Sequence, residues 1–281
     1  MPELAELKLT AAYINTVSEG LFFNRIEKNP VHKGVEVVPE CTTFKIRAKS
    51  RGKELMVYLT SPISCQTLRM NMGMAGHFQL TPTGKESKHA HLKFYSECGQ
   101  TLSFVDVRRF GKWKVESEWS ADRGPDPTQD LEGFVRNIID NIDKKEFDKP
   151  VHLVMMNQKY FNGIGNYLRA EILYRVPKAN PFLPARDILQ QYPEILALCR
   201  DVPMLAYAMG GGSIKDWKNP FGEDAAPEHF FQCYSNPTMS NLVDANGRRF
   251  WYDQKWDLVE FDDSTWCHYS GMPSPEAYVT K

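Results

Sequence analysis

The sequence predicts an α+β protein: an N-terminal helix, then a β-sandwich, then a helical half that ends in a β-hairpin. Three observations carry that prediction. Apolar residues recur at helical spacing over residues 3–17, and short alternating runs separated by turns take over from about 21 to 118. Helical spacing returns after Arg123-Gly124-Pro125-Asp126-Pro127, a strong backbone breaker and the expected domain boundary.

In the first helix, Leu4, Leu7, Ala11 and Ile14 make one apolar stripe, and Glu3 and Glu6 lie on neighbouring positions of one face. Thr43–Arg47, Leu55–Leu59, His91–Tyr95 and Leu102–Val105 read as strands, with turns such as Thr81-Pro82-Thr83-Gly84 between them. Residues 129–145 carry an amphipathic helical pattern through Leu131, Phe134, Val135, Ile138, Ile139 and Ile142. A further helix is predicted over 165–175, entered through Asn162-Gly163-Ile164-Gly165-Asn166, and one or two more over 183–209. Ser240–Tyr252 reads as a hairpin with Asn246-Gly247 at its turn, the strongest short hairpin signal.

A chain of 281 residues suits about two domains. Its apolar fraction of 42% is ample for real cores, and no apolar run approaches the ~20 residues of a membrane span. No basic stretch followed by an apolar one opens the chain, so a secretory signal is not expected. The six cysteines are scattered without a CxxC pair, which points to reduced thiols in an intracellular setting. With a net charge of −1, any nucleic-acid binding requires basic residues gathered on one face.

The candidate chemistry begins at Met1-Pro2-Glu3. Removal of Met1 leaves Pro2 as a secondary amine, and an α-amino group with a pKa of about 8 is partly neutral near neutral pH. Such an amine adds to a sugar aldehyde to give an iminium ion, an electron sink for eliminations, and Glu3 stands beside it as an acid–base group. A helix starting here also turns its positive dipole end toward the amine, which disfavours the ammonium form. The same three residues are equally an ordinary helix start. The Asn162–Asn166 stretch, with two glycines before a helix, suits a phosphate site and also suits a tight structural corner.

From Asn162 to Glu171 the sequence resembles the helix–two-turn–helix element of the formamidopyrimidine-DNA glycosylase and endonuclease VIII family, in which an Asn at the position of Asn166 contacts DNA phosphate. Other motifs fall in the family's order. The opening resembles its Pro-Glu-Leu start, which implies Pro2 as Schiff-base nucleophile and Glu3 as acid–base residue, with Glu6 shaping the site. Arg51-Gly52-Lys53-Glu54-Leu55 resembles the turn of the catalytic, phosphate-binding lysine, here Lys53. Gly73-Met74-Ala75-Gly76 and Asp106–Gly111 resemble the loops that fill the space of an everted nucleotide, through Met74, Arg108 and Phe110. His89, in Lys88-His89-Ala90-His91, matches a histidine that meets the DNA backbone. Gly211–Trp217 resembles a loop that folds over the flipped base in some members. Taken singly, each has an ordinary reading: Lys53 a solvated hairpin lysine, Arg108 and Arg109 surface charges, Phe110 and Met74 core residues.

Two departures stand out. Ala5 replaces a proline usual in bacterial members, and the hairpin lacks the cysteines of their zinc finger: Cys233 precedes it and the Cys267-His268 spacing does not suit a compact finger. The chain therefore resembles the zincless finger of eukaryotic endonuclease VIII-like enzymes, with Phe250, Trp251 and Tyr252 as apolar supports. Arg248 matches the finger arginine that reaches a phosphate and assists a second elimination, and Arg249 is expected to point the other way.

The resemblance implies a bifunctional DNA glycosylase and apurinic/apyrimidinic lyase of base excision repair, acting on duplex DNA bound in a cleft and cleaving by β,δ-elimination. It implies no metal and no organic cofactor, since the iminium is the electron sink. Expected domains are 1–123 (catalytic β-sandwich), 124–228 (helix–two-turn–helix), 229–262 (zincless-finger hairpin) and 263–281 (tail). A monomer in the nucleus or another DNA-containing compartment, without membrane association, is expected. Kinship with the endonuclease VIII-like branch implies oxidised pyrimidines and hydantoins as substrates, while Gly211-Gly212-Ser213 resembles a purine-specific element. The competing reading is a non-catalytic helix–two-turn–helix nucleic-acid-binding protein.

Overall fold

The computed structural model describes residues 2–212, 217–222 and 230–258. They form two compact units, Met1–Arg123 with Ala206–Pro227 and Gly124–Leu205 with Glu228–Lys281.

The first unit opens with α1 (Leu4–Val17). Eight strands follow: β1 (Phe23–Lys28), β2 (Lys45–Arg51), β3 (Glu54–Thr60), β4 (Cys65–Asn71), β5 (His77–Pro82), β6 (Ala90–Ser96), β7 (Gln100–Val105) and β8 (Lys112–Val115). They make two four-stranded antiparallel sheets, ordered β1-β6-β7-β5 and β2-β3-β4-β8. Alternate residues of the two sheets, among them Leu55, Val57, Leu68, Leu92, Phe94, Leu102 and Phe104, meet in one buried core. That is the predicted sandwich. The strand expected at Thr43–Arg47 begins at Lys45, because Phe44 pairs instead with Phe23 in an isolated bridge.

α1 closes the sandwich along two edge strands. Unpaired edge N–H and C=O groups are a liability unless covered. The Asn15 side chain acts as a substitute strand, its Nδ2 donating to the Ala48 carbonyl at 3.0 Å and its Oδ1 accepting the Ala48 N–H at 2.8 Å. On the other sheet the Tyr13 hydroxyl accepts the Leu80 N–H at 3.0 Å. The apolar stripe predicted for this helix is buried, Leu4, Leu7, Ala11 and Ile14 included.

The second unit is helical, with α2 (Leu131–Ile139), a 3-10 turn (Lys145–Asp148), α3 (Val151–Val154), α4 (Asn166–Tyr174), α5 (Ala185–Gln191) and α6 (Glu194–Ala208), the last ending three residues inside the first unit. The helix expected over 129–145 stops at Ile139. Asp140, Asn141 and Asp143 prefer turns and caps, and the Asn141 side chain bonds back to the Asn137 carbonyl at 2.7 Å. Of its predicted apolar face only Phe134 and Ile138 are fully buried, while Ile139 is exposed. The hairpin β9 (Ser240–Val243) and β10 (Arg249–Tyr252) pairs with Phe250 opposite Leu242. Among the described residues no helix is long and apolar enough to cross a membrane.

Replacing Asn15 with alanine removes the partners of both Ala48 backbone groups, and a buried polar group left unpaired costs about 1–3 kcal/mol. Urea denaturation of Asn15→Ala is expected to show a loss of that size, and a parent-like midpoint would rule out the edge-capping role.

Candidate active site and nucleic-acid interface

At the start of the first unit, Pro2, Glu3 and Glu6 are all buried, Glu6 completely. Glu3 is the N-cap of α1, and Glu3 and Glu6 form a reciprocal capping box. The Glu3 N–H donates to Glu6 Oε2 at 2.7 Å, and Glu6 Oε1 accepts the Gly212 N–H at 2.8 Å. Glu6 thus holds the backbone next to Pro2 and the residue before the 213–216 segment with one carboxylate. The loop predicted over Gly211–Trp217 lies partly outside the described residues, at 213–216. Gly211 is in the left-handed region at φ +91°, where a side chain would also meet Trp217 at 2.9 Å.

Lys53 sits in the two-residue turn between β2 and β3, where Arg51 pairs with Glu54. Gly52 supplies the positive φ of +55° that such a turn requires. The lysine is not a solvated hairpin residue: it is 7% exposed. Next to it, buried Glu54 contacts Arg69 at 3.8 Å and Arg123 at 3.5 Å, and accepts a hydrogen bond from the Ser120 hydroxyl. Arg51 in turn donates to the Arg123 carbonyl at 3.0 Å. The turn carrying Lys53 is thereby tied down on both flanks.

Two loops of the same unit present the predicted space-filling residues. Buried Asp106 organises the second loop, its Oδ1 accepting the Arg108 N–H at 3.0 Å and its Oδ2 the Gly111 N–H at 2.7 Å. This braces Arg109 at φ +58°, an uncommon conformation for a side chain with a Cβ. Arg108 and Phe110 are exposed, with the guanidinium 5.1 Å from the ring centre. The Met74 loop lies against this one. A Cβ on Gly73, at φ +62°, would stand 2.6 Å from the Gly111 nitrogen and 2.7 Å from the Phe110 carbonyl carbon. Met74 is half-buried beside them, neither a core residue nor fully free. His89 is half-buried and its carbonyl accepts the Asp106 N–H at 3.0 Å, whereas His91 is buried with Nε2 2.9 Å from the Asp106 carbonyl. Both histidines lead to Asp106.

In the second unit the segment before α4 is closed by side chains. Gln158 accepts the Gly163 N–H at 3.0 Å and donates to the Ile164 carbonyl at 2.8 Å, and Asn162 donates to the Gly124 carbonyl at 2.8 Å. Gly163 takes φ +97°. Asn166, the first residue of α4, donates through Nδ2 to the Arg249 carbonyl at 2.8 Å and accepts from Arg169 at 2.6 Å.

The hairpin turn is not the two-residue kind that Asn-Gly most often signals. Asp244 and Arg248 pair across a three-residue loop, the Asp244 N–H donating to the Arg248 carbonyl at 2.8 Å, and only Gly247 has positive φ, +70°. Asp244 makes the difference: its Oδ1 accepts the N–H groups of Asn246 at 2.9 Å and Arg248 at 3.0 Å, a side-chain-capped turn. Arg248 is exposed at the rim of a groove with Glu146, Lys149 and Asn157, while Arg249 is tied to Asn241 at 2.5 Å.

Aromatic packing seats this hairpin. Phe250 is buried and stacks on His152 at 4.7 Å, Trp251 meets Tyr234 at 4.6 Å, and Tyr252 meets Phe182 edge-on at 4.8 Å. Buried Glu171 anchors the preceding segment by accepting the N–H groups of Gln232 (3.2 Å), Cys233 (2.9 Å) and Tyr234 (2.8 Å). Strands β9 and β10 offer no thiolate or imidazole, so the hairpin does not fit a zinc ion. Burial pushes the Cys233 thiol up to about 12. Among the described residues no three His, Cys, Asp or Glu side chains gather as metal ligands, and Cys267 and His268 lie outside them.

Asp106, Arg169, Glu171 and Asp244 are the residues that sequence reasoning did not single out. Asp244 and Asp106 each precede turn residues whose N–H groups they cap, a signal that was available. Arg169 and Glu171 gave none, being charged residues within a helix.

The family description "Formamidopyrimidine-DNA glycosylase N-terminal domain" matches residues 1–113, and "Endonuclease VIII-like 1, DNA bind" matches 225–255. Among curated proteins, Endonuclease 8-like 1 of Homo sapiens is 37% identical over 285 residues, covering 90% of this chain and 72% of its own length. Formamidopyrimidine-DNA glycosylase of Streptococcus pneumoniae is 30% identical over 197 residues, covering 66% and 68%. Among solved structures, the MutM (Fpg) protein of Thermus thermophilus superposes with a TM-score of 0.74 at 23% identity, covering 91% of this chain and 98% of that one. A Lactococcus lactis Fpg mutant bound to DNA containing Fapy-dG gives 0.74 at 21% identity, covering 91% and 99%. These superpositions show the shared α+β fold.

His152 provides a check on the packing beneath the hairpin. Burial, with the Arg169 guanidinium, pushes its pKa down to about 3, against about 6.5 in an unfolded chain. Between those values the unfolded state binds the extra proton, so this residue's contribution to stability rises with pH and is lost as pH falls below about 6.5. The imidazole NMR signals of His152 are expected not to titrate between pH 7.5 and 4.5. A midpoint near 6.5 would show that the ring is solvated.

Proposed function

The chain belongs to the formamidopyrimidine-DNA glycosylase and endonuclease VIII family, and from that premise we propose how its own residues carry out the reaction of a DNA N-glycosylase and apurinic/apyrimidinic lyase in base excision repair. The observation that carries the reading is the N-terminus, where Pro2 is buried beside a capping box of two carboxylates. With Met1 removed, the Pro2 nitrogen attacks the anomeric carbon of the damaged nucleotide. The bond from that carbon to the base breaks, and Glu3 moves the protons that base release and sugar-ring opening require, leaving an iminium on Pro2. Loss of a sugar proton then expels the 3′ phosphate, and a second elimination expels the 5′ phosphate, with Lys53 and Arg248 stabilising the phosphates as they leave. Glu6, its oxygens engaged by the Glu3 and Gly212 N–H groups, shapes the site.

The base must leave the stack to be reached, at a cost of a few kcal/mol. Met74, Arg108 and Phe110, presented by adjoining loops, offset that cost by filling the vacated space. His89, Asn166, Lys53, Arg108 and Arg248 contact the DNA backbone or the orphaned base. Oxidised pyrimidines and hydantoins are the substrates implied by the resemblance to the endonuclease VIII-like branch. The enzyme acts as a monomer in a DNA-containing compartment. The 1–123 segment is its catalytic domain, 124–228 carries its helix–two-turn–helix element although 206–227 pack with the first unit, and 229–262 is its zincless finger, of which 259–262, like the 263–281 segment, lie outside the described residues.

Borohydride reduces an iminium and not a non-covalent complex. The protein is therefore expected to be trapped on duplex DNA carrying an oxidised pyrimidine or an abasic site. Pro2→Gly should trap poorly, and undiminished trapping would move the Schiff base to another amine, such as Lys53. Glu3→Gln should lower base excision by roughly 10²–10⁴-fold, the usual contribution of a positioned acid–base group, while retaining some cleavage at preformed abasic sites. Equal loss of both would contradict that division.

A guanidinium binds phosphate in two-pronged fashion. Arg248→Ala should cost about 1–3 kcal/mol of DNA binding and flatten the plot of log affinity against log salt by about one unit.

A further inference from the structure

We propose that the buried Arg169–Asp244 ion pair is a positioning device that holds the Asn166 amide and the Arg248 backbone in one register, so that both meet successive DNA phosphates together. The inference rests on the reading of Asn166 and Arg248 as phosphate contacts. Arg169 and Asp244 are fully buried, and Arg169 Nη2 lies 2.7 Å from Asp244 Oδ2 and 2.6 Å from Asn166 Oδ1. Its Nη1 donates to the His152 carbonyl at 2.9 Å, and the guanidinium lies 4.8 Å from the centre of the Phe250 ring. Asp244 passes the constraint on, its Oδ1 accepting the Asn246 and Arg248 N–H groups at 2.9 and 3.0 Å. An unbroken polar chain therefore runs from the first residue of α4 through the guanidinium and the carboxylate to the backbone of Arg248.

The geometry needs these residue types. A planar guanidinium with several fixed donors serves three acceptors at once, and a lysine, with all its donors on one nitrogen, cannot span them. Aspartate is short enough to close the turn and still face Arg169. Stability does not explain the pair, because a buried ion pair is often matched or surpassed by well-packed apolar residues of similar volume. Buried polar groups are attested as fixing register, and here the pair joins the two groups that the DNA reading requires.

The test measures binding to a duplex bearing one tetrahydrofuran abasic analogue, as a function of salt, with the full chain. Arg248→Ala should flatten the log–log slope by about one unit, whereas Asn166→Ala, which removes an uncharged contact, should weaken binding by roughly 3–10-fold at every salt concentration with a parent-like slope. The double variant Arg169→Met/Asp244→Asn, which removes both charges and keeps volume, should melt near the parent and yet flatten the slope by about one unit and also lose the affinity that Asn166→Ala loses. Adding Arg248→Ala to it should flatten the slope no further, because that contact is already lost; a merely structural pair would give additive effects. A double variant with parent-like slope and melting overturns the positioning role while leaving the DNA reading intact. A parent-like slope in Arg248→Ala together with parent-like affinity in Asn166→Ala removes the DNA reading and the inference with it. If the double variant does not fold, Asp244→Asn alone is judged by the same slope: flattening by about one unit supports the role and a parent-like slope ends it.

Discussion

The first unit is organised by the way α1 lies along two sheet edges. Asn15 completes the edge strand β2, and Tyr13 satisfies β5, so the helix is fixed at its C-terminal half by hydrogen bonds to both sheets. Its apolar stripe supplies the rest of the contact. Because a helix is stiff over fourteen residues, fixing one end also fixes the other. The buried capping box of Glu3 and Glu6 completes that placement, and Pro2 cannot wander as a chain terminus ordinarily does. A nucleophile held on a rigid element is what an orientation-dependent reaction requires.

Carboxylates recur as the devices that shape loops. Glu6 gathers two N–H groups, Asp106 and Asp244 cap turns, Glu54 braces the Lys53 turn, and Glu171 accepts three consecutive N–H groups ahead of the hairpin. Each is buried, where an unpaired charge is costly and a fully engaged one rigidifies its surroundings. Asp244 illustrates the balance. Burial pushes its carboxyl up, but the Arg248 N–H and the Arg169 guanidinium more than offset this and hold it below its ordinary value.

In the hairpin the same principle seats β9 and β10. A zinc ion would gather four ligands around one centre. Here Phe250 packs onto His152 of α3, and Trp251 joins the cluster that Tyr234 makes with Tyr167 of α4, while Glu171 and Asp244 set the backbone on either side. The load is spread over many weak contacts, each dependent on the helices beneath.

The sequence by itself determined the order of the elements, the sandwich, the α4 boundary and the family, because periodicity, breakers and ordered motifs are local properties of the chain. It also placed Pro2, Glu3 and Glu6 at a helix start and Arg248 just past a hairpin turn. It extended the 129–145 helix too far, since an apolar pattern continues past Ile139 where Asp140 and Asn141 prefer a cap. It placed Asn246-Gly247 at the hairpin turn, but the three-residue form of that turn comes from the Asp244 side chain. Only the tertiary structure decided that Lys53 is buried, that Glu6 bridges to Gly212, and that Arg169 faces Asp244 across seventy-five positions. The physical reason is range: spacing reports neighbours within a few residues, whereas burial and ion pairing depend on which distant segments the packed core brings together.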